Sequence, residues 1–173
     1  MSNILPSVTL VLGGQRSGKS GYAEGLICSG QKALYLATAQ ALDMEMIERV
    51  RIHKNRRDGN WKTVEEPYDL ASALLMHDKS GRPILIDSLG MWISNLLAYE
   101  KDVDEQIRCL IETLENIKSS LVLVSDEVGQ GVIPDNALAR QFIDKLGALN
   151  QLLADRADVV IFVTAGLPLY LKR

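Results

Sequence analysis

Cysteine and aromatic side chains are scarce in this 173-residue chain, and basic charge is not in excess. The two cysteines, Cys28 and Cys109, have no metal-ligand spacing and form no disulfide framework, which points to a reducing, cytoplasmic setting. Nine aromatics (two Trp, five Tyr, two Phe) give no platform for stacked bases. Lys and Arg number 19 against 22 Asp and Glu, a net charge of −3 that argues against a nucleic-acid partner. Apolar runs such as Val159–Val163 fall far short of the roughly 20 residues a membrane span requires. The N-terminal stretch Met1–Pro6 has no basic segment followed by an apolar core, so no signal peptide is expected. What remains is ordinary globular composition, 47% hydrophobic and 24% charged, at a length that suits one domain over residues 1–173.

Five short apolar runs alternate with longer helical patterns: Val8–Leu12, Ala33–Ala37, Ile84–Asp87, Leu121–Ser125 and Val159–Val163. They are continuous rather than alternating, as expected for strands covered on both faces. Helices are predicted over Lys19–Ser29, Asp43–Arg57, Asp69–His77, Gly90–Ala98, Asp104–Lys118 and Asn136–Arg156. This order predicts an α/β domain with a mostly parallel central sheet and helices on both faces.

Between the first strand and the first helix lies Gly13-Gly14-Gln15-Arg16-Ser17-Gly18-Lys19-Ser20, which fits G-x-x-x-x-G-K-[ST] in its required context. Its backbone N–H groups and the helix N-terminus would cradle phosphate oxygens. Lys19 would reach the β and γ phosphates and Ser20 would ligate Mg²⁺. The fold expected is therefore a P-loop NTPase of RecA-like type. A later strand should supply a second magnesium ligand. Asp87, at the end of an apolar strand, suits that role, and Asp126-Glu127 at the end of another competes with it. Strand-end acids also cap helices, so both roles stay open.

The segment from Glu45 to Arg57 carries five basic residues within nine positions, with Glu45, Arg49, His53 and Arg57 spaced to line one helix face. Such a face is usually solvated. It also suits phosphate, with arginines neutralising oxygens and His53 offering a lone pair for covalent catalysis. His77 sits in a polar turn and reads as a surface residue. Further on, Glu127–Pro134 holds two glycines and a proline, a shaped loop leading into an amphipathic helix on which Arg140 is positioned to face phosphate.

Together these motifs resemble the bifunctional adenosylcobinamide kinase / adenosylcobinamide-phosphate guanylyltransferases of cobalamin biosynthesis. The likeness runs through Gly13–Ser20, Tyr35–Ala39, Asp43–His53, Trp61–Pro67 and Asp87 with Trp92 and Asn95. It continues through Glu127–Pro134, Ala139-Arg140, Gly147 with Asn150-Gln151, and Ala165–Pro168. The resemblance implies γ-phosphoryl transfer from ATP or GTP to adenosylcobinamide. A second reaction then transfers GMP from GTP to adenosylcobinamide phosphate through a guanylylated histidine, matched here by His53. It implies nucleotide contacts at Gly13, Gly14, Gln15, Arg16, Ser17, Gly18, Lys19, Ser20, Ala37, Thr38, Ala39, Lys54, Asn55, Arg56, Arg57, Glu65 and Asp87. It also implies a homotrimer. The family pattern usually has Asn where Asp126 stands, and Cys and Thr where Ser88 and Gly90 stand. Some members carry paired histidines where Ile52 precedes His53. Two other readings share the phosphate loop: a single-activity kinase in which His53 is only a phosphate contact, and a RecA-like nucleotide switch.

Overall fold

The structure, a computed structural model, describes residues 5–27, 30–40, 44, 51, 59–79 and 81–173. In chain order the described elements are β1 (Val8–Gly13), α1 (Lys19–Leu26), β2 (Ala33–Ala37), β3 (Trp61–Glu65), α2 (Leu70–His77), β4 (Ile84–Asp87) and α3 (Leu89–Ala98). They continue with α4 (Val103–Leu114), β5 (Leu121–Asp126), α5 (Ala137–Arg156), β6 (Val159–Thr164) and β7 (Leu167–Lys172). The strands form one seven-stranded sheet in the order β3-β2-β4-β5-β1-β6-β7. All pairings are parallel except β6 with β7, so the mostly parallel sheet predicted from the sequence is present.

The period of two along each strand divides the core. Leu10, Leu34, Leu36, Ile84, Ile86, Leu121 and Leu123 face one side, where they meet Leu74, Trp92, Leu96, Leu110 and Leu146 from α2, α3, α4 and α5. Val11, Tyr35, Leu85, Val122, Val124 and Ile161 face the other and meet Ala23 of α1. Burial on both faces explains why these strands read as unbroken apolar runs.

Two strands lie outside that pattern. β3 is an edge strand whose Lys62 and Glu65 are exposed, so its sequence resembles a loop more than a strand. β7 is exposed throughout and contains Pro168, which an edge strand tolerates because one side of its backbone needs no ladder partner. It returns from β6 through Ala165 (φ 51°) and Gly166 (φ 78°), two consecutive left-handed residues whose twist suits a tight hairpin.

Among the described helices, starts follow one rule with one exception. Asp69, Ser88, Asp102 and Asn136 cap α2 to α5 by accepting from the backbone N–H of Ser72, Met91, Glu105 and Ala139 at 3.0–3.3 Å. Helix α1 is preceded by Gly18 and has no side-chain cap.

Asp78 fastens the end of α2 to the residues before β5. Its carboxylate accepts from the N–H groups of Lys118 (3.0 Å) and Ser119 (2.8 Å) and from the Ser119 hydroxyl (2.7 Å). Burial pushes this carboxyl upward, but the Ser119 hydroxyl, the two N–H donors and the Lys118 charge outweigh it and hold it below the ordinary value. A carboxyl depressed by folding adds stability above its unfolded pKa and loses it as pH falls through the folded value. Asp78→Ala is expected to cost about 1–3 kcal/mol near neutral pH. The deficit should begin to shrink below about pH 4 and close only once pH has fallen through the depressed folded value. Urea unfolding of the two proteins across that range measures it.

Candidate active site

The six parallel strands deliver their last residues to one edge of the sheet, the edge where ligands bind in open parallel folds. At this edge β1 ends in Gly13, and the chain turns back through Gly14–Gly18 into α1. Ser17 N–H donates to Gly14 O at 3.2 Å and closes the turn. Gly18 holds φ 95°, a left-handed conformation that a side chain disfavours. A Cβ there would also come within 3.2 Å of Gly166 Cα, and Gly166 N–H donates to Ser17 O at 2.8 Å. The β6–β7 turn thus supports the loop from behind. Because α1 lacks a side-chain cap, its first-turn N–H groups open onto the loop and are suited to anionic oxygens.

Lys19 is buried. Its ammonium donates to Gly14 O at 3.2 Å and pairs with Asp126 Oδ1 at 2.7 Å. Ser20 follows on the first turn of α1. The strand order decides which strand-end acid meets the lysine: β5 lies between β1 and β4, so Asp126, level with Gly13, is the neighbour of the phosphate loop. Asp87 stands one strand further away, with its Oδ2 accepting from the Tyr35 hydroxyl at 2.9 Å. Ala37 is paired with Asp87 on one side and with Glu65 on the other, so these three predicted contacts sit at one level of adjacent strands.

Buried polar side chains hold this edge in place. Thr38 Oγ1 donates to Ser88 O at 2.7 Å and accepts from Ser88 N–H at 2.9 Å, so the hydroxyl of this predicted nucleotide contact is engaged by the turn after β4. Asn95 Nδ2 donates to Thr38 O and Pro67 O, joining the ends of β2 and β3 to α3. Asn150 accepts from Ser125 Oγ at 2.6 Å and donates to Asp126 O at 3.1 Å. Gly90, at the start of α3, leaves the space that the Asp126 carboxylate occupies, and a Cβ there would collide with Asp126 Oδ2. Gly90 and Asp126, both departures from the family pattern, are therefore in contact.

Two candidates face elsewhere. Glu127 Oε1 accepts from Gly129 N–H at 2.7 Å within its own loop. Arg140 donates to Pro134 O and Asp135 O at 2.8 and 2.7 Å, so its guanidinium braces the loop before α5. His77 is partly buried, with burial and then the charges of Lys62, Arg82 and Lys79 holding it below its ordinary pKa. The predicted residues His53, Lys54, Asn55, Arg56 and Arg57 lie outside the described residues.

Among the described residues no group of three or more His, Cys, Asp or Glu is placed to hold a metal ion. The hydroxyl and carboxylates at the sheet edge instead suit Mg²⁺, which usually takes one or two protein carboxylates and completes its shell with water and substrate phosphates. Sequence reasoning left Asp126 among alternatives and named Tyr35, Gly90 and Asn150 only as matches to the family pattern or departures from it, because their contacts depend on which strands are neighbours.

Comparison with known proteins now decides the family. The family model described as cobinamide kinase / cobinamide phosphate guanyltransferase matches residues 9–171. The chain belongs to that family. It is 43% identical over 166 residues to the bifunctional adenosylcobalamin biosynthesis protein CobP of Pseudomonas aeruginosa, spanning 94% of this chain and 96% of that protein. It is 37% identical over 178 residues to the bifunctional adenosylcobalamin biosynthesis protein CobU of Salmonella typhimurium, spanning 94% of this chain and 98% of that protein. Among solved structures, a prototypical ATPase from the type III secretion system of pathogenic bacteria superposes with a TM-score of 0.57. That match has 12% identity and covers 96% of this chain and 57% of that one; it shows the P-loop fold alone. Membership makes this chain a bifunctional enzyme, a kinase and guanylyltransferase of cobinamide.

The loop geometry gives a test within this enzyme. Gly18→Ala is expected to lower stability by about 1–2 kcal/mol from backbone strain and to weaken nucleotide binding at least tenfold. A Cβ at Gly14 meets nothing within 4 Å, so Gly14→Ala should do much less to stability. Thermal unfolding and calorimetric titration with a non-hydrolysable ATP analogue compare the two.

Proposed function

We propose that this enzyme uses ATP or GTP to phosphorylate the aminopropanol hydroxyl of adenosylcobinamide, then transfers GMP from GTP to the new phosphate through His53. The observation that carries this reading is the uncapped phosphate loop with Lys19 at its centre, set beside strand-end carboxylates in a chain of the cobinamide family.

In the first reaction the acceptor hydroxyl attacks the γ-phosphorus, the bond to the β–γ bridging oxygen breaks, and the nucleoside diphosphate leaves. The catalytic demand is positioning and charge neutralisation. The open N–H groups of α1 and the Lys19 ammonium supply both. Ser20 and Asp87 are assigned to Mg²⁺, and the Tyr35 hydroxyl fixes the Asp87 carboxylate for that task. Bound there, the ion would neutralise phosphate oxygens.

In the second reaction a His53 nitrogen attacks the α-phosphorus of GTP and pyrophosphate leaves, forming a phosphoramidate. A phosphate oxygen of adenosylcobinamide phosphate then attacks the same phosphorus, yielding adenosylcobinamide-GDP and returning the imidazole. Splitting the transfer turns one difficult displacement into two in-line ones. Lys54, Asn55, Arg56 and Arg57 are assigned to nucleotide binding with His53, alongside Gly13–Ser20, Ala37, Thr38, Ala39, Glu65 and Asp87. Glu127 and Arg140 are assigned to shaping the neighbouring loop. We place the enzyme in the cytoplasm as a homotrimer acting on a corrinoid without a nucleic-acid partner. Among the described residues no helix is long and apolar enough to cross a membrane.

Incubation with GTP labelled at the α-phosphate, without corrinoid, followed by denaturation tests the covalent step. Wild type is expected to retain an acid-labile, alkali-stable label that His53→Ala lacks. No label on either protein leaves the kinase reaction alone, and equal labelling of the two moves the covalent step to a residue other than His53.

A further inference from the structure

We propose that Asp126 is the resident counter-ion of the phosphate-loop lysine and makes the site select nucleotide that carries a divalent cation over free nucleotide. The inference rests on the reading that this loop binds nucleotide, and it assigns that site a specificity determinant outside the predicted contact set.

The Lys19 ammonium and Asp126 Oδ1 are 2.7 Å apart, with side-chain exposures of only 11% and 24%. Asp126 is held there from several sides. Its backbone is level with Gly13 on the neighbouring strand, and Glu127 N–H donates to Gly13 O at 3.1 Å. Its carbonyl accepts from Asn150 Nδ2, which α5 carries. Its second carboxylate oxygen is 3.5 Å from the Ser88 hydroxyl and fills the space left by the missing side chain of Gly90. The carboxylate is therefore fixed at the loop by its own strand, by α5 and by the start of α3.

A lysine that binds β and γ phosphates must release part of its hold on Asp126. The exchange leaves a partly buried carboxylate facing a polyanion. Without another cation, the two negative charges oppose binding; with a divalent cation on the phosphates, the carboxylate faces a positive charge instead. Asp126 thus penalises free nucleotide and spares the cation complex. A neutral side chain of the same shape removes the penalty.

Titration of GTP in Mg²⁺ and in EDTA at matched ionic strength tests this with Asp126→Asn, and with Asp126→Ser in case one variant folds poorly. Wild type is expected to bind far more weakly in EDTA than in Mg²⁺. The variants should bind free GTP about tenfold more tightly than wild type, a change of about 1.4 kcal/mol, so that the ratio of the two affinities contracts by a similar factor. A carboxylate with a merely structural role would, on removal, weaken both titrations together and leave the ratio unchanged; that result overturns the proposal. Unchanged binding in EDTA also overturns it. Wild type that binds no GTP under either condition overturns the nucleotide reading of the loop itself.

Discussion

A mostly parallel sheet whose central strands are buried on both faces has little room for polar chemistry except at the ends of those strands. Between β2 and β6 the strand interiors are packed with Leu, Ile and Val, and their backbone groups are consumed by the ladders. The carboxylates at Asp87 and Asp126 and the phosphate loop after Gly13 are the first places along each strand where the chain can present charge to a ligand. Their arrangement follows from register: Asp126 is level with Gly13 on β1, while Asp87 is level with Val124, two residues short of the end of β5. The site is assembled by the sheet, and its precision is that of the sheet.

That precision is kept by a second tier of buried polar side chains. Thr38, Ser125, Asn95 and Asn150 are all buried, and each joins backbone or side-chain groups from different elements. Unpaired, these groups would cost stability; satisfied, they fix the strand ends relative to one another in a way apolar contacts cannot. Asn150 is instructive, because it brings α5, which contributes nothing directly to the phosphate loop, into the definition of where Asp126 sits.

The central strands β1, β2, β4 and β5 were legible because burial on both faces leaves an apolar signature in the sequence, and the phosphate loop was legible because its glycines and lysine stand at fixed offsets. The starts of α2 and α5 were marked by Asp69 and Asn136, while α4, expected from Asp104, begins at Val103 behind the Asp102 cap. What escaped was one-sided or tertiary. β3 exposes Lys62 and Glu65 at an edge, and β7 is wholly exposed with a proline inside it. The partnership of Lys19 and Asp126 depends on β5, and not β4, lying beside β1, and no local pattern encodes strand order.

The Gly166 turn ties the far end of the chain to the loop at its beginning. It supports Ser17 and crowds Gly18, while the strand it starts runs back toward Lys172, which donates to the carbonyls of Ala154 and Asp155 at the end of α5. The two ends of β7 therefore serve different neighbours. Shortening the chain to Ala165 would strip the prop from behind the phosphate loop, more than 140 residues away in sequence. A tether attached at Arg173 would emerge at the opposite edge of the sheet and leave that prop in place.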